Sequence, residues 1–363
     1  MNKIQIEGEF FNAEDFSTEQ IPSFFEKGAI YKQLFLFLKE WFSPNETINL
    51  YTSGSTGKPK EIVARKSQML QSAVMTCRFF NLNKNDKALL CLSTDYIAGK
   101  MMVVRAICSG MDLYPVDVSG HPLLNTSIAY DFAAMVPLQV YNSLTTIEEK
   151  SRLSQIKNII VGGGSIDHEL ETTLKDFHNS IYSTYGMTET LSHIGLRKIS
   201  GKDASLYYKP LWGVDLKLSD NQTLIINAPH IADDIIRTND IAEINLDGSF
   251  KILGRIDNVI NTGGIKVQIE EIEQQLTPFI NCNFAITSVP HPKLGEAVVL
   301  LIEPLNYQYS YDEVIKETSN IVSQYQQPKY IYNVSSIPMT HSGKKDRKAI
   351  KELALKSFND TIV

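Results

Sequence analysis

The densest run of chemistry-bearing side chains is Tyr51-Thr-Ser-Gly-Ser-Thr-Gly-Lys-Pro-Lys60, which packs four Ser and Thr hydroxyls, two glycines and two lysines behind an apolar, strand-like stretch. Phosphate binding calls for these parts. Glycines let backbone N–H groups converge on an anion, and hydroxyls and ammonium groups complete its shell. A Walker loop would need Gly at position 52 and Ser or Thr at position 59, where this chain has Thr52 and Pro59, so the run is not a P-loop. A second glycine cluster, Val161-Gly-Gly-Gly-Ser165, fails the dinucleotide fingerprint because Asp167 stands at the last glycine position. The competing reading of the first run is a flexible Gly/Ser linker, against which strand onset, Lys-Pro-Lys and hydroxyl density all count.

Composition narrows the partners. The chain has 363 residues and a formal net charge of -6, which argues against non-specific nucleic-acid binding, since neutralising phosphates takes clustered Lys and Arg. Hydrophobic residues at 43% and charged residues at 21% fit a packed globular protein. Cys77, Cys91, Cys108 and Cys282 show no metal or redox spacing and read as reduced structural thiols, which with the acidic, signal-free start MNKIQIEGEFFNAEDF predicts a cytoplasmic protein. The apolar run 297–302 is far below the ~20 residues that cross a bilayer, so no membrane span is expected.

Short apolar strands alternate with glycine turns and helical periods from residue 48 onward, at 48–51, 88–92 and 159–161, the signature of an α/β sheet with helices on its faces. Residues 31–42 read as an amphipathic helix. Residues 241–252 read as a hairpin around Asp247-Gly248, with Ala242, Ile244 and Leu246 on one face. Beyond Gly254 the character changes to a strand, a helix with Ile269, Ile272 and Leu276 at helical spacing, and strands at 284–289 and 297–303. This predicts a large N-terminal α/β domain over 1–254, with mixed and parallel sheets flanked by helices, and a smaller C-terminal α+β domain over 255–363.

The first loop resembles the phosphate-binding signature of the adenylate-forming superfamily, which includes acyl-CoA synthetases, luciferases and the adenylation domains of peptide synthetases. Four further motifs follow in order: Tyr185-Gly-Met-Thr-Glu-Thr190, Arg237-Thr-Asn-Asp240, the hinge Gly254-Arg-Ile-Asp-Asn-Val-Ile-Asn-Thr-Gly-Gly-Ile-Lys266, and the lysine loop Pro338-Met-Thr-His-Ser-Gly-Lys344. The resemblance spans about residues 48 to 350 and implies activation of a carboxylic acid by ATP and Mg²⁺, then acyl transfer to coenzyme A.

By that resemblance Thr52, Ser53, Ser55, Thr56 and Lys60 hold the β- and γ-phosphates, Thr188 contacts the α-phosphate and Glu189 the Mg²⁺. Gly163, Gly164 and Ser165 approach the adenine, Tyr185 stacks on it, and Asp240 and Arg255 reach the ribose. Lys344 is the adenylation lysine; Lys345 has no counterpart in the motif. The small domain turns about Asp257 and is mobile, and Gly263, Gly264 and Lys266 wall the pantetheine path. Each residue also has a plainer reading: a solvated carboxylate for Glu189, a structural ring for Tyr185, a boundary ion pair for Arg255, a hairpin turn for Gly263 and Gly264, a solvated charge run around Lys344. Asn239 stands where the family usually has glycine, and Asn tolerates the positive φ that a glycine there suggests.

The acid substrate is written more thinly. Arg105 lies in an otherwise apolar helical stretch, and such a charge demands a partner, either a ligand carboxylate or an internal ion pair. The Gly99-to-Arg105 spacing resembles ortho-succinylbenzoate:CoA ligases of menaquinone biosynthesis, whose substrate carries two carboxylates. That resemblance implies Arg105, with Lys100, Ser192 and His193, as the acid-binding group. Only about fifty residues precede the Thr52 loop, fewer than in most relatives, so a reduced N-terminal subdomain is expected. Two alternatives stay open at this level: an enzyme that loads a carrier protein, and a non-catalytic AMP or ATP sensor. No G-x-S-x-G elbow supports hydrolase chemistry.

Overall fold

The computed structural model describes residues 2–51, 61–164, 166–304, 311–318, 321–340 and 344–362. The chain forms two compact units, one of Met1–Leu216, Ile226–Ile236 and Asn245–Phe250, the other of Lys217–Ile225, Arg237–Ile244 and Lys251–Val363.

The first unit is built on a nine-stranded sheet. Its six central strands, Ser180–Gly186, Asn158–Val161, Phe132–Met135, Lys87–Leu90, Asp112–Pro115 and Lys3–Ile6, run parallel in that spatial order. Glu9–Asn12 closes one edge and His193–Lys198 with Lys209–Pro210 the other, all antiparallel. Parallel strands covered on both faces need apolar side chains in both directions. Accordingly Ala88, Leu89 and Leu90 are all buried, as are Ile159, Ile160 and Val161. The alternation seen in the sequence is therefore a true α/β arrangement.

The first fifty residues are organised by rings. Phe16, Phe25 and Phe35 are buried and pack on one another, with Phe11, Phe24 and Phe42 against Phe16 or Phe25, at centroid distances of 5.1–6.2 Å, beside the helix Ala29–Phe42. Aromatic residues of this size bury about 150–250 Å² each, so a few of them supply a core that short elements otherwise lack. The antiparallel pair Thr47–Tyr51 and Glu61–Arg65, with Tyr51 opposite Glu61, flanks the glycine loop.

The second unit contains most of a four-stranded sheet, ordered Asp215–Leu218, Thr223–Asn227, Ile236–Ile244, Phe250–Arg255. The hairpin expected around Asp247-Gly248 is present, with one correction: Leu246 lies in the turn and is fully exposed instead of sharing the face of Ala242. A five-stranded sheet follows, in which Gly295–Glu303 pairs with Asn283–His291 and Tyr330–Asn333. Val298, Leu300 and Ile302 pack with the helix Ile269–Leu276, whereas Val299 and Leu301 pack with Ile350 and Ala354 of the helix Arg347–Ile362. Both faces are covered, which is why 297–302 reads as unbroken apolar text. Among the described residues no helix is long and apolar enough to cross a membrane.

Candidate active site

The expected phosphate residues Thr52, Ser53, Ser55, Thr56 and Lys60, and Ser165 of the adenine turn, lie outside the described residues. Gly163 and Gly164 follow the C-terminal end of the parallel strand Asn158–Val161, and their Cα positions face Val136 and Pro137, which follow the neighbouring strand. In open α/β sheets, ligand crevices lie at that end of the strands.

Tyr185, at the end of Ser180–Gly186, is half-buried, with its ring edge-on to Phe250 at 5.4 Å and tilted against Tyr208 at 6.0 Å. Gly186 is fixed by space. A Cβ there would lie 2.4 Å from the Ser192 carbonyl oxygen and 2.6 Å from the His193 Cα, so only glycine lets the following turn fold back so closely. That turn carries Thr188 and Glu189 on a short 3-10 helix, Thr188–Thr190. The buried Thr190 hydroxyl accepts from the Met187 N–H at 3.0 Å and has the Ser192 carbonyl within reach at 2.7 Å. Leu191 is buried at φ 61° and ψ -34°, a backbone state that costs an ordinary side chain on the order of 1–3 kcal/mol. The motif implies roles for Thr188 and Glu189; it ends on Thr190 with no role for it and stops short of Leu191, and these two residues hold the turn.

Glu189 is exposed and makes no ion pair among the described residues. No group of three or more potential metal ligands occurs among them. A lone, accessible carboxylate fits Mg²⁺, which keeps several waters and takes one or two carboxylates plus phosphate oxygens.

Behind this turn Arg105, 2% exposed, donates through Nη2 to the Ser192 hydroxyl at 2.6 Å, and its Nε has no partner among the described residues. No described carboxylate pairs with it, so the internal ion pair considered above is not found. Burial pushes its pKa down to about 10, leaving it charged at neutral pH. His193 is buried on the adjacent strand, and burial followed by the Arg105 charge holds it well below 6.5, hence neutral. The donors and acceptors then have one consistent order. Arg105 can only donate, so the Ser192 hydroxyl proton points to His193 Nδ1 at 3.4 Å. His193 carries its proton on Nε2 and donates to Thr76 Oγ1 at 3.0 Å, and Thr76 donates to the Ser72 carbonyl at 3.3 Å. Thr76, on the helix Lys66–Phe80, had no signal in the sequence. Lys100 engages differently: its ammonium lies 3.5 Å from Glu40 Oε2 and 4.7 Å from the Phe37 ring centroid. Arg105, Ser192 and His193 thus come together, while Lys100 joins the N-terminal helix.

In the second unit, Arg255 bridges two carboxylates, donating to Asp240 Oδ1 and to Asp257 Oδ2, each at 2.9 Å. Asp240 is buried at 8% exposure, and Arg255 is about half exposed. Burial lowers the Arg255 pKa, but the bonds to Asp257 and the charge of Asp240 outweigh it and raise the pKa overall. Asn239 corrects the expectation of a positive φ, because it sits in the extended strand Ile236–Ile244 and is absent from the residues with left-handed backbone. Its amide donates to both oxygens of Asp257, at 3.2 and 3.0 Å. Gly263 and Gly264 form the two-residue turn between Val259–Thr262 and Ile265–Gln268, at φ 61° and 82°, a turn type that needs positive φ at both positions. Lys266 follows, exposed.

Lys344 is exposed and its backbone is held at both ends: Thr340 N–H donates to the Lys344 carbonyl at 2.7 Å, and Lys344 N–H to Thr340 Oγ1 at 3.1 Å. Lys345 turns inward, 3.0 Å from Glu273 Oε1, and burial lowers its pKa against the opposing pull of that carboxylate. Glu273 also receives the fork of Arg347, both bonds at 2.8 Å, and the Ile286 N–H at 2.9 Å.

A family model for AMP-binding enzymes matches residues 12–230. A crystal structure of an acyl-CoA synthetase (AMP-forming)/AMP-acid ligase II-like protein from Dyadobacter fermentans is 31% identical, with a TM-score of 0.64, covering 94% of this chain and 97% of that one. A 2-succinylbenzoate–CoA ligase of Listeria monocytogenes is 23% identical over 340 residues, covering 87% of this chain and 72% of the ligase. The o-succinylbenzoate CoA synthetase of Bacillus subtilis, solved with its acyl-adenylate intermediate, has the same fold at a TM-score of 0.71 and 20% identity, over 84% of this chain and 68% of that one. The parallel sheet with its glycine turn and Thr-Glu turn, taken with these matches, places the chain in the AMP-binding enzyme family of adenylate-forming enzymes.

Proposed function

We propose that this enzyme activates a carboxylic acid with ATP to an acyl adenylate and passes the acyl group to coenzyme A. The acid carries a second carboxylate, as ortho-succinylbenzoate does. The observation that supports this most is Arg105, a buried cation with an unpartnered Nε and no described carboxylate beside it. A charge so placed costs several kcal/mol unless something pairs with it, and a ligand carboxylate is such a partner.

In the first step a substrate carboxylate oxygen attacks the α-phosphorus, and the bond to pyrophosphate breaks. The barrier is dominated by bringing anions together, so fixed cations and donors are what the protein contributes. Lys344 neutralises the carboxylate and α-phosphate, Thr188 donates to the α-phosphate, and Thr52, Ser53, Ser55, Thr56 and Lys60 hold the departing phosphates. Gly163, Gly164, Ser165 and Tyr185 take the adenine, and Asp240 with Arg255 takes the ribose. Glu189 would hold Mg²⁺, which would supply positive charge against that building on the pyrophosphate.

In the second step the coenzyme A thiolate attacks the acyl carbonyl and AMP leaves. A domain break at residue 255 with Asp257 as its hinge gives the small domain its second orientation, in which Gly263, Gly264 and Lys266 line the pantetheine path. The thiols of Cys77, Cys91 and Cys108, outside any disulfide, agree with action in the cytoplasm.

The test is coenzyme A consumption with ATP across aromatic, dicarboxylic and fatty acids, including ortho-succinylbenzoate. Absence of pyrophosphate release with every acid would sink the proposal. Transfer that ignores coenzyme A but proceeds with an added carrier protein would replace the acceptor. Lys344→Ala is expected to lower adenylation by about 10²–10³ while sparing thioester formation from supplied acyl adenylate; equal loss in both steps would contradict the role of Lys344.

A further inference from the structure

Resting on the role proposed for Lys344, we infer that Glu273 and Lys345 act as positioning residues that fix which of the two adjacent lysines the loop presents to substrate. The argument begins with the backbone. Met339 and Lys345 form an antiparallel bridge, Asp346 N–H donates to the Pro338 carbonyl at 3.0 Å, and Lys344 is tied to Thr340 on both sides. In such an extended pair, neighbouring side chains project to opposite faces. Whichever way Lys345 points, Lys344 points the other.

The direction of Lys345 is set by one carboxylate. Its ammonium lies 3.0 Å from Glu273 Oε1 and 4.8 Å from the Phe284 ring centroid, on the inner side of the unit. Glu273, 9% exposed on the helix Ile269–Leu276, is itself immobilised by the two bonds of Arg347 and by the Ile286 N–H. Arg347 opens the helix Arg347–Ile362, whose first turn is capped by Asp346 through Ala349 N–H at 3.1 Å. The loop's C-terminal side is thereby locked to three elements. A one-residue slip of the bridge would expose Lys345 and bury Lys344, because the side-chain period of an extended strand is two. The ion pair opposes that slip. A Lys-Lys doublet without such an anchor would offer two nearly equivalent ammonium groups to the phosphate.

Two measurements test this on the full-length protein. In the first, surface amines are acetylated with limiting acetic anhydride and the modified positions are read by peptide mass spectrometry, which needs no substrate. Lys344 is expected to label about tenfold faster than Lys345, and Glu273→Gln to bring the two rates together, as loss of a buried partner frees the ammonium. Equal labelling in the unaltered protein overturns the inference. In the second, Lys345→Met keeps an apolar stem against Phe284 and removes the ion pair, so it remains informative where Glu273→Gln folds poorly. Adenylation of ortho-succinylbenzoate, followed by pyrophosphate release, is expected to fall about ten- to a hundredfold in kcat at unchanged KM for ATP, the scale of a displaced catalytic group. Thioester formation from supplied acyl adenylate is expected to hold. Full retention of adenylation in Lys345→Met overturns the inference, and so does an equal loss in adenylation and in thioester formation from supplied acyl adenylate. If Lys344→Met keeps full adenylation, the proposed role of Lys344 fails; the labelling ratio still reports by itself on which lysine the loop presents.

Discussion

Arg105 and Arg347 are both arginines turned away from solvent, and the protein treats them in opposite ways. Arg347 meets Glu273 through two parallel bonds of 2.8 Å, with Lys345 sharing the same carboxylate. Among the described residues Arg105 donates to one side chain, the Ser192 hydroxyl, and its Nε has no hydrogen-bond partner. A paired guanidinium is a structural bolt whose worth is seen when one partner is removed. An unpaired one is a standing cost in the unliganded protein, and keeping it argues for a ligand that relieves the cost.

The contrast can be broken by substitution. Removing the partner of the paired cation, Glu273→Ala, is expected to destabilise the second unit by about 3–5 kcal/mol, read from denaturant unfolding. Removing the unpaired cation, Arg105→Met, should leave stability unchanged or raise it, while KM for the acid rises about a hundredfold, the scale of losing a buried charge pair. If Arg105→Met destabilised as much as Glu273→Ala, the two arginines would be alike and the ligand argument would fall.

Acid titration sharpens the same comparison. Burial alone would raise Glu273, but the Arg347 fork, with Lys345 and the Ile286 N–H, outweighs it and holds the carboxyl below 4.5. A carboxyl with a depressed folded pKa contributes fully above its unfolded value and loses that contribution as pH falls through the folded one. Unfolding free energy should therefore drop on acidification below about pH 4.5, and Glu273→Gln should flatten part of that slope. The smallest effect is expected at Asn239. Its exposed amide bonds to Asp257 are worth below about 1 kcal/mol, so Asn239→Ala should change the ratio of thioester-forming to adenylate-forming rates by only a few-fold. A change far beyond that would make Asn239 part of the hinge mechanism itself.

Much of this arrangement was written locally. The strands at 48–51 and 159–161 and the helix at 31–42 are set by short-range apolar pattern and appear where that pattern places them, while the strand expected at 88–92 ends at Leu90. The pairings that define the two arginines are not local: Arg105 meets Ser192 across 87 positions and Arg347 meets Glu273 across 74. No spacing rule reaches that far. The N-terminal hairpin was also illegible, since it turns on Glu7-Gly8, with φ of 50° and 85°, where the usual marker is Asn-Gly or Asp-Gly. Asn239 taught the reverse lesson. Its identity suggests a left-handed backbone, whereas the residue is extended and its amide bonds to Asp257.

The hydroxyl and imidazole chain behind the Thr-Glu turn has a fixed direction, beginning at the Arg105 guanidinium, charged at neutral pH, and ending on the Ser72 carbonyl. Burial, followed by the Arg105 charge, holds His193 well below 6.5 and so neutral at neutral pH. At neutral pH the chain therefore carries one charge, that of Arg105 at its head.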